Sequence, residues 1–136
     1  MKNFNRFAAV IITASIFVAA NVAMAQKAGA PWNVPAKYKS MKSTVKAGDP
    51  SIATVGKDLF VKHCKSCHGS KGLGDGPKAA TLNTIIPSFA TAKFKAQGAG
   101  DVYFQTLVGR DEMPNFEKKI PDEADRWALI AYIKSL

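Results

Sequence analysis

Apolar positions along the chain form one continuous run and then three periodic stretches separated by polar, glycine- and proline-containing segments. The run is Phe7–Ala20. Residues 26–53 hold Pro31, Pro35 and Pro50 and no sustained apolar period, so they read as an irregular arm. From Val55 the pattern becomes helical: Val55, Leu59 and Phe60 share a face, with Thr54 as the expected cap. Glycines 69, 72, 74 and 76 and Pro77 then impose turns. Residues 78–100 are mixed, with a short helical turn expected at Lys78–Leu82. A second helix is predicted over Asp101–Val108, with Asp101 as cap and Gly109 as stop. A third opens at Pro121, carries Asp122, Glu123 and Asp125 at its positive end, and buries Leu129, Tyr132, Ile133 and Leu136. No stretch alternates over enough residues to make a sheet, and the chain predicts an all-α domain.

The opening run decides the compartment. Lys2 and Arg6 precede it, and Ala23-Met24-Ala25 follows with the small-x-small pattern of a cleavage site. This is the three-part order of a secretory signal peptide, residues 1–25, and the run is short of the roughly 20 apolar residues that span a bilayer. The competing reading is an uncleaved anchor. With cleavage the mature chain begins at Gln26, is exported to the periplasm, and has no stable membrane insertion.

The remaining 111 residues are one small domain's worth, a size at which a modest core is often supplemented by a metal, disulfides or a cofactor. The signal removes two of 19 basic residues and none of the 10 acidic ones, leaving a net charge of +7. Residues 26–48 carry five lysines and no acid. Such a surface favours acidic partners or anionic lipid heads. The lysines are not interleaved with stacking aromatics, which argues against nucleic acid as a partner.

The chemistry is concentrated in "HCKSCHGSKGLGDGP", residues 63–77. Cys64 and Cys67 are the only cysteines, and His68 follows the second. A structural zinc site needs four ligands, and the sole other histidine, His63, abuts Cys64. A thioredoxin-like dithiol would need a parallel sheet around it. A disulfide across so small a loop would stabilise little. The reading left is Cys-x-x-Cys-His, the haem attachment signature. The two sulfurs add to haem vinyl groups as thioethers, and His68 is held beneath the iron as proximal ligand. Such a histidine generally donates its other ring N–H to an acceptor that fixes its orientation.

The sixth iron position separates electron transfer from ligand binding or catalysis. The mature methionines are Met41, in the basic arm, and Met113, in "GRDEMPNF" between the second and third helices. Pro114 stiffens that loop and Phe116 can screen iron from water, so Met113 is the expected distal ligand. Histidine with methionine raises the potential and fills the coordination sphere. A filled sphere suits electron transfer and leaves no open site for substrate, so no enzyme is expected.

"GKDLFVKHCKSCHG", "GDGP", "GRDEMPNF" and "DRWALIAYIKSL" stand in the order and at the spacing of the class I c-type cytochromes, and residues 55–136 resemble the small bacterial periplasmic members. The resemblance implies one covalent haem c, about three main helices, and a crossing of the first and last helices at which Gly56 and Phe60 meet Leu129, Tyr132 and Ile133. It also implies that the Pro77 carbonyl accepts the His68 ring N–H. It leaves the arm, residues 26–53, unexplained beside a haem domain at 54–136. We expect that arm to be an appendage in which prolines exclude regular structure, Trp32 and Val34 pack on the helices, and Lys37–Lys46 stay exposed and mobile. The expected function is a monomeric periplasmic electron carrier serving an acidic redox partner through a lysine-bordered haem edge that includes Lys65, Lys71 and Lys118. The alternative is a cytochrome c subunit of a periplasmic oxidoreductase complex. A haem enzyme or gas sensor is a third class and needs an open iron site.

Overall fold

In the computed structural model, which describes residues 26–46 and 48–136, the chain runs β1 (Lys27–Ala28), α1 (Ala36–Lys39), α2 (Pro50–His63), α3 (Lys65–His68), a 3₁₀ turn at Ala79–Thr81, β2 (Thr84–Ile85), α4 (Ala92–Lys95), α5 (Ala99–Val108) and α6 (Glu123–Ser135). The expected signal segment, residues 1–25, lies outside the described residues. No helix among the described residues is long and apolar enough to cross a membrane.

Two of the three long helices, α2 and α6, start at an aspartate. Asp49 accepts from the Ser51 N–H at 2.9 Å, and Pro50, which has no N–H to leave unsatisfied, occupies the first position of α2. Thr54 is therefore not the cap. It lies inside the helix and donates its hydroxyl to the Pro50 carbonyl at 2.9 Å. Asp101 is also displaced from the expected cap: Gly98 caps α5, and the Asp101 carboxylate reaches back to the Gly98 N–H at 3.1 Å. Asp122 caps α6 through the Asp125 N–H at 2.9 Å.

The most extensive helix contact is α2 against α6. Gly56 sits where they cross. A Cβ there would run into the Ala128 carbonyl and lie 2.8 Å from the Tyr132 Cβ, so only glycine permits the approach. The stripe α2 presents is Ile52, Gly56 and Phe60, and Val55 is exposed, contrary to the predicted face. A glycine at the centre of an apolar stripe carries no hydropathy, which puts the sequence pattern one residue out of phase. Phe60 is fully buried against Tyr132, with ring centroids 5.4 Å apart. Burial of a side chain this size contributes roughly 1.5–3 kcal/mol. From α6, Leu129 and Ile133 are buried as expected, joined by Trp127, Ala128 and Ile130.

The arm carries regular structure that its prolines were expected to exclude. Both prolines near α1 precede it, where no helical N–H is needed, and Pro35 is its cap. β1 pairs in parallel with β2, Lys27 beside Thr84 and Ala28 beside Ile85. Two residues per strand are too few for alternation to be visible in sequence. Val34 is buried and Trp32 half-buried, while Lys37, Lys39, Lys42 and Lys46 are exposed.

Gly56→Ala measures the crossing. An alanine gains up to about 1 kcal/mol in helix propensity, but overpacking against backbone costs about 1–3 kcal/mol. The clash should win, lowering the thermal midpoint of the holoprotein by several degrees in circular dichroism. A raised midpoint would mean the helices do not meet at residue 56.

Candidate functional site

The Cys-x-x-Cys-His segment sits where α2 ends. Cys64 is the last cap of α2 and 6% exposed; Cys67 and His68 lie one turn on, in α3. Both thiols are free. Burial, and then the neighbouring Cys67, push the Cys64 thiol up to about 12, so it stays protonated near neutral pH. Residues 72–78 fold back along the segment through backbone bonds from Gly74 to His68 (2.9 Å), Gly76 to Cys67 (3.1 Å) and Lys78 to Ser66 (2.9 Å). Gly76 passes so close that a Cβ would lie 2.6 Å from the Cys67 carbonyl carbon. That proximity is the structural content of "GDGP".

His68 lies flat on Phe89, centroids 4.7 Å apart and planes at 23°. Phe89 continues to Phe94 (4.5 Å) and Phe60 (6.5 Å), so an aromatic chain links the imidazole to the helix crossing. Phe89 was not singled out from sequence, although an aromatic after Pro87 in a polar stretch is a usable signal. Burial holds His68 down to about 4, which keeps the imidazole neutral, the form that binds metals. Its Nδ1 is buried and has no hydrogen-bond partner. The expected bond to the Pro77 carbonyl is not made: the ring is turned against the face of Phe89. An unsatisfied buried nitrogen costs about 1–3 kcal/mol.

Met113 is half-buried in a tight turn, Arg110–Met113, closed by reciprocal backbone bonds of 2.9 and 2.8 Å. Asp111 takes the left-handed conformation there (φ 50°), one that aspartate tolerates. Beyond the turn, the Phe116 N–H donates to the Leu107 carbonyl at 2.9 Å, and its buried ring meets the edge of His63 at 5.8 Å. The methionine-bearing loop is thereby tied beside the residue that precedes Cys64. Met41 packs at the edge of the core instead.

Charge around the segment is basic. Lys65, Lys71 and Lys118 are exposed, and Lys119 lies over the Phe116 ring at 5.1 Å. His63 is held below its ordinary value by burial first, then by Lys62 and Lys119.

A covalent tetrapyrrole fits this donor set. Two free thiols and one neutral imidazole, His68 with its buried Nδ1 unpartnered, converge on one helix end, whereas among the described residues no three His, Cys, Asp or Glu side chains gather as a metal ion alone would need. The family comparison agrees. Residues 53–136 match the family described as Cytochrome c. The cytochrome bc1 complex cytochrome c subunit of Corynebacterium diphtheriae is 31% identical over 87 residues, which is 64% of this chain and 28% of that protein. This chain thus spans under a third of that relative. Among solved structures, the Kuenenia stuttgartiensis reducing HAO-like protein complex Kustc0457/Kustc0458 aligns with TM-score 0.57 and 28% identity over 73% of this chain and 52% of its own. The KustC0563 c-type cytochrome aligns with TM-score 0.50 and 28% identity over 59% of this chain and 94% of its own.

The attachment chemistry is checked by mass. Protein matured in an export-competent host should carry one haem that resists acid acetone, and Cys64→Ala or Cys67→Ala should sharply lower the yield of holoprotein; a haem that extracts freely from the parent protein would contradict covalent attachment. With its mostly helical frame, its α2–α6 crossing and its Cys-x-x-Cys-His segment, the chain belongs to the cytochrome c family and carries a covalently attached haem c.

Proposed function

We propose that this chain is a periplasmic electron carrier whose haem iron is held by His68 and Met113 and cycles between ferrous and ferric states. The observation that carries the reading is the meeting of the two loops at the end of α2: Phe116, three residues past Met113, packs on His63, which immediately precedes Cys64. Cys64 and Cys67 anchor the group, and His68 supplies a neutral nitrogen backed by Phe89. The Arg110–Met113 turn presents a thioether, and Phe116 helps keep water away. When bound, the haem would supply the one-electron chemistry, and His68 and Met113 would hold its iron so that no substrate site opens. The exposed lysines border the site and favour an acidic partner. In this division residues 26–53 form the arm and 54–136 the haem domain, with residues 1–25 removed on export.

A second reading is favoured by the relatives: one is named as a subunit of a bc1 complex and another belongs to an HAO-like complex. In that case the chain is a cytochrome subunit. Gel filtration of the native extract separates the two, since a carrier elutes as a small monomer and a subunit with its partner.

The ligand assignment predicts a weak near-infrared sulfur-to-iron band in the oxidised protein. Met113→Ala should abolish it and open the iron to added ligands, while Met113→His should keep six-coordination and lower the potential. Loss of the band in Met41→Ala instead would overturn the assignment. The docking assignment predicts that electron transfer to an acidic partner slows with salt. The screening length falls from about 30 Å at 0.01 M to about 10 Å at 0.1 M, so a rate flat across that range would mean the basic surface does not steer docking.

A further inference from the structure

Arg110 has a role that ligation chemistry does not account for. It opens the turn that ends at Met113, yet its side chain points to the arm. Its guanidinium donates to the Pro31 carbonyl at 3.0 Å and to the Ala30 carbonyl, and lies over the Trp32 ring 3.9 Å from the centroid. These bonds join residues about 80 positions apart. A planar cation that donates two hydrogen bonds and stacks on an indole is a favourable combination that lysine cannot reproduce. The Asp111 carboxylate, 3.9 Å away and well exposed, adds little.

The other end of the turn is tied as well. Glu112 accepts from the Thr84 N–H at 2.8 Å and from the Asn83 N–H at 3.0 Å. Thr84 belongs to β2, whose partner is β1 of the arm, and the Lys27 N–H donates to the Asn83 carbonyl at 2.9 Å. Gln26 extends the attachment through its amide to the Ala79 and Leu82 carbonyls, at 2.7 and 2.8 Å. Trp32 meets Phe104 of α5 edge-on at 6.2 Å, and Tyr38 meets the same ring at 4.8 Å. The arm therefore closes a ring of contacts, from β2 through Arg110 and Glu112 to α5, around the Arg110–Met113 turn.

We propose that residues 26–38 are a strap that holds the distal-ligand turn shut, with Arg110 as its positioning residue, and that the strap sets how readily Met113 leaves the iron. The proposal rests on Met113 as distal ligand, and it departs from the expectation that the arm is an appendage. A loop fixed at Arg110 and at Glu112 must break both attachments to swing its methionine away. A loop fixed only by its own backbone bonds need not.

The test uses ferric holoprotein and added cyanide, whose binding requires Met113 to leave. Arg110→Ala, Trp32→Ala and a chain lacking residues 26–34 should each bind cyanide about tenfold faster or more, with the Soret spectrum and far-ultraviolet helicity kept. Trp32→Phe should restore most of the slow rate, and Lys42→Ala, exposed and off the strap, should leave it unchanged. Amide hydrogen exchange at Arg110 and Met113, whose N–H groups close the turn, reads the strap independently of what Met113 binds. Faster exchange in Trp32→Ala with a near-infrared band that survives Met113→Ala would leave the strap standing as a loop clamp and sink its control of the iron. Unchanged cyanide rates and unchanged exchange in Arg110→Ala and Trp32→Ala would overturn the proposal outright.

Discussion

The close crossing of α2 on α6 at Gly56 is the constraint from which the site follows. Because no Cβ intervenes, α2 lies against the Ala128 backbone with its axis fixed, and this sets where its C-terminal end delivers Cys64. Phe60, one turn along, fills the space beneath the crossing and passes the alignment to Phe89 and so to His68. A domain this small cannot enclose a large cofactor with core alone. It supplies instead a rigid helix end, two thiols and an aromatic support.

The second half of the site depends on attachments of a different kind. The Met113 loop carries little core of its own; Met113 is half-buried, and Asp111, Glu112 and Pro114 are exposed. Its order comes from hydrogen bonds to distant backbone, through Phe116 to Leu107, Glu112 to β2 and Arg110 to the arm. Hydrogen-bonded surface loops belong to the less stable parts of a protein. The Cys64–His68 segment is thus fixed by packing, whereas the Met113 loop is fixed by polar ties that substitution can loosen one at a time.

The long helices and the attachment motif were readable from sequence because each leaves a local signature. Pro121 and Asp122 mark the start of α6, Gly109 marks the end of α5, and Cys-x-x-Cys-His is contiguous. What escaped was non-local or silent in hydropathy. Asp49-Pro50 starts α2 before any apolar position appears, and Gly56 hides the centre of the buried stripe. The strand pair is two residues long, and α4 at Ala92–Lys95 has only Phe94 to bury. His68 stacks on Phe89, and its Nδ1 lacks the partner expected at Pro77, neither of which sequence order encodes. Arg110 and Trp32 read separately as a surface charge and a stray aromatic; only folding makes them a pair.

The proposed function stands on the Met113 thioether serving, together with His68, to hold the iron. Its most direct test is methyl-¹³C-methionine labelling of the ferrous, diamagnetic holoprotein, because beyond residue 25 the chain has just two methionines, Met41 and Met113. A methyl held over the face of the haem feels its ring current and moves far upfield of the ordinary methionine region. The account predicts that the Met113 methyl shifts in this way while the Met41 methyl stays in the ordinary region. An unshifted Met113 methyl, or a Met41 methyl in its place, would contradict it.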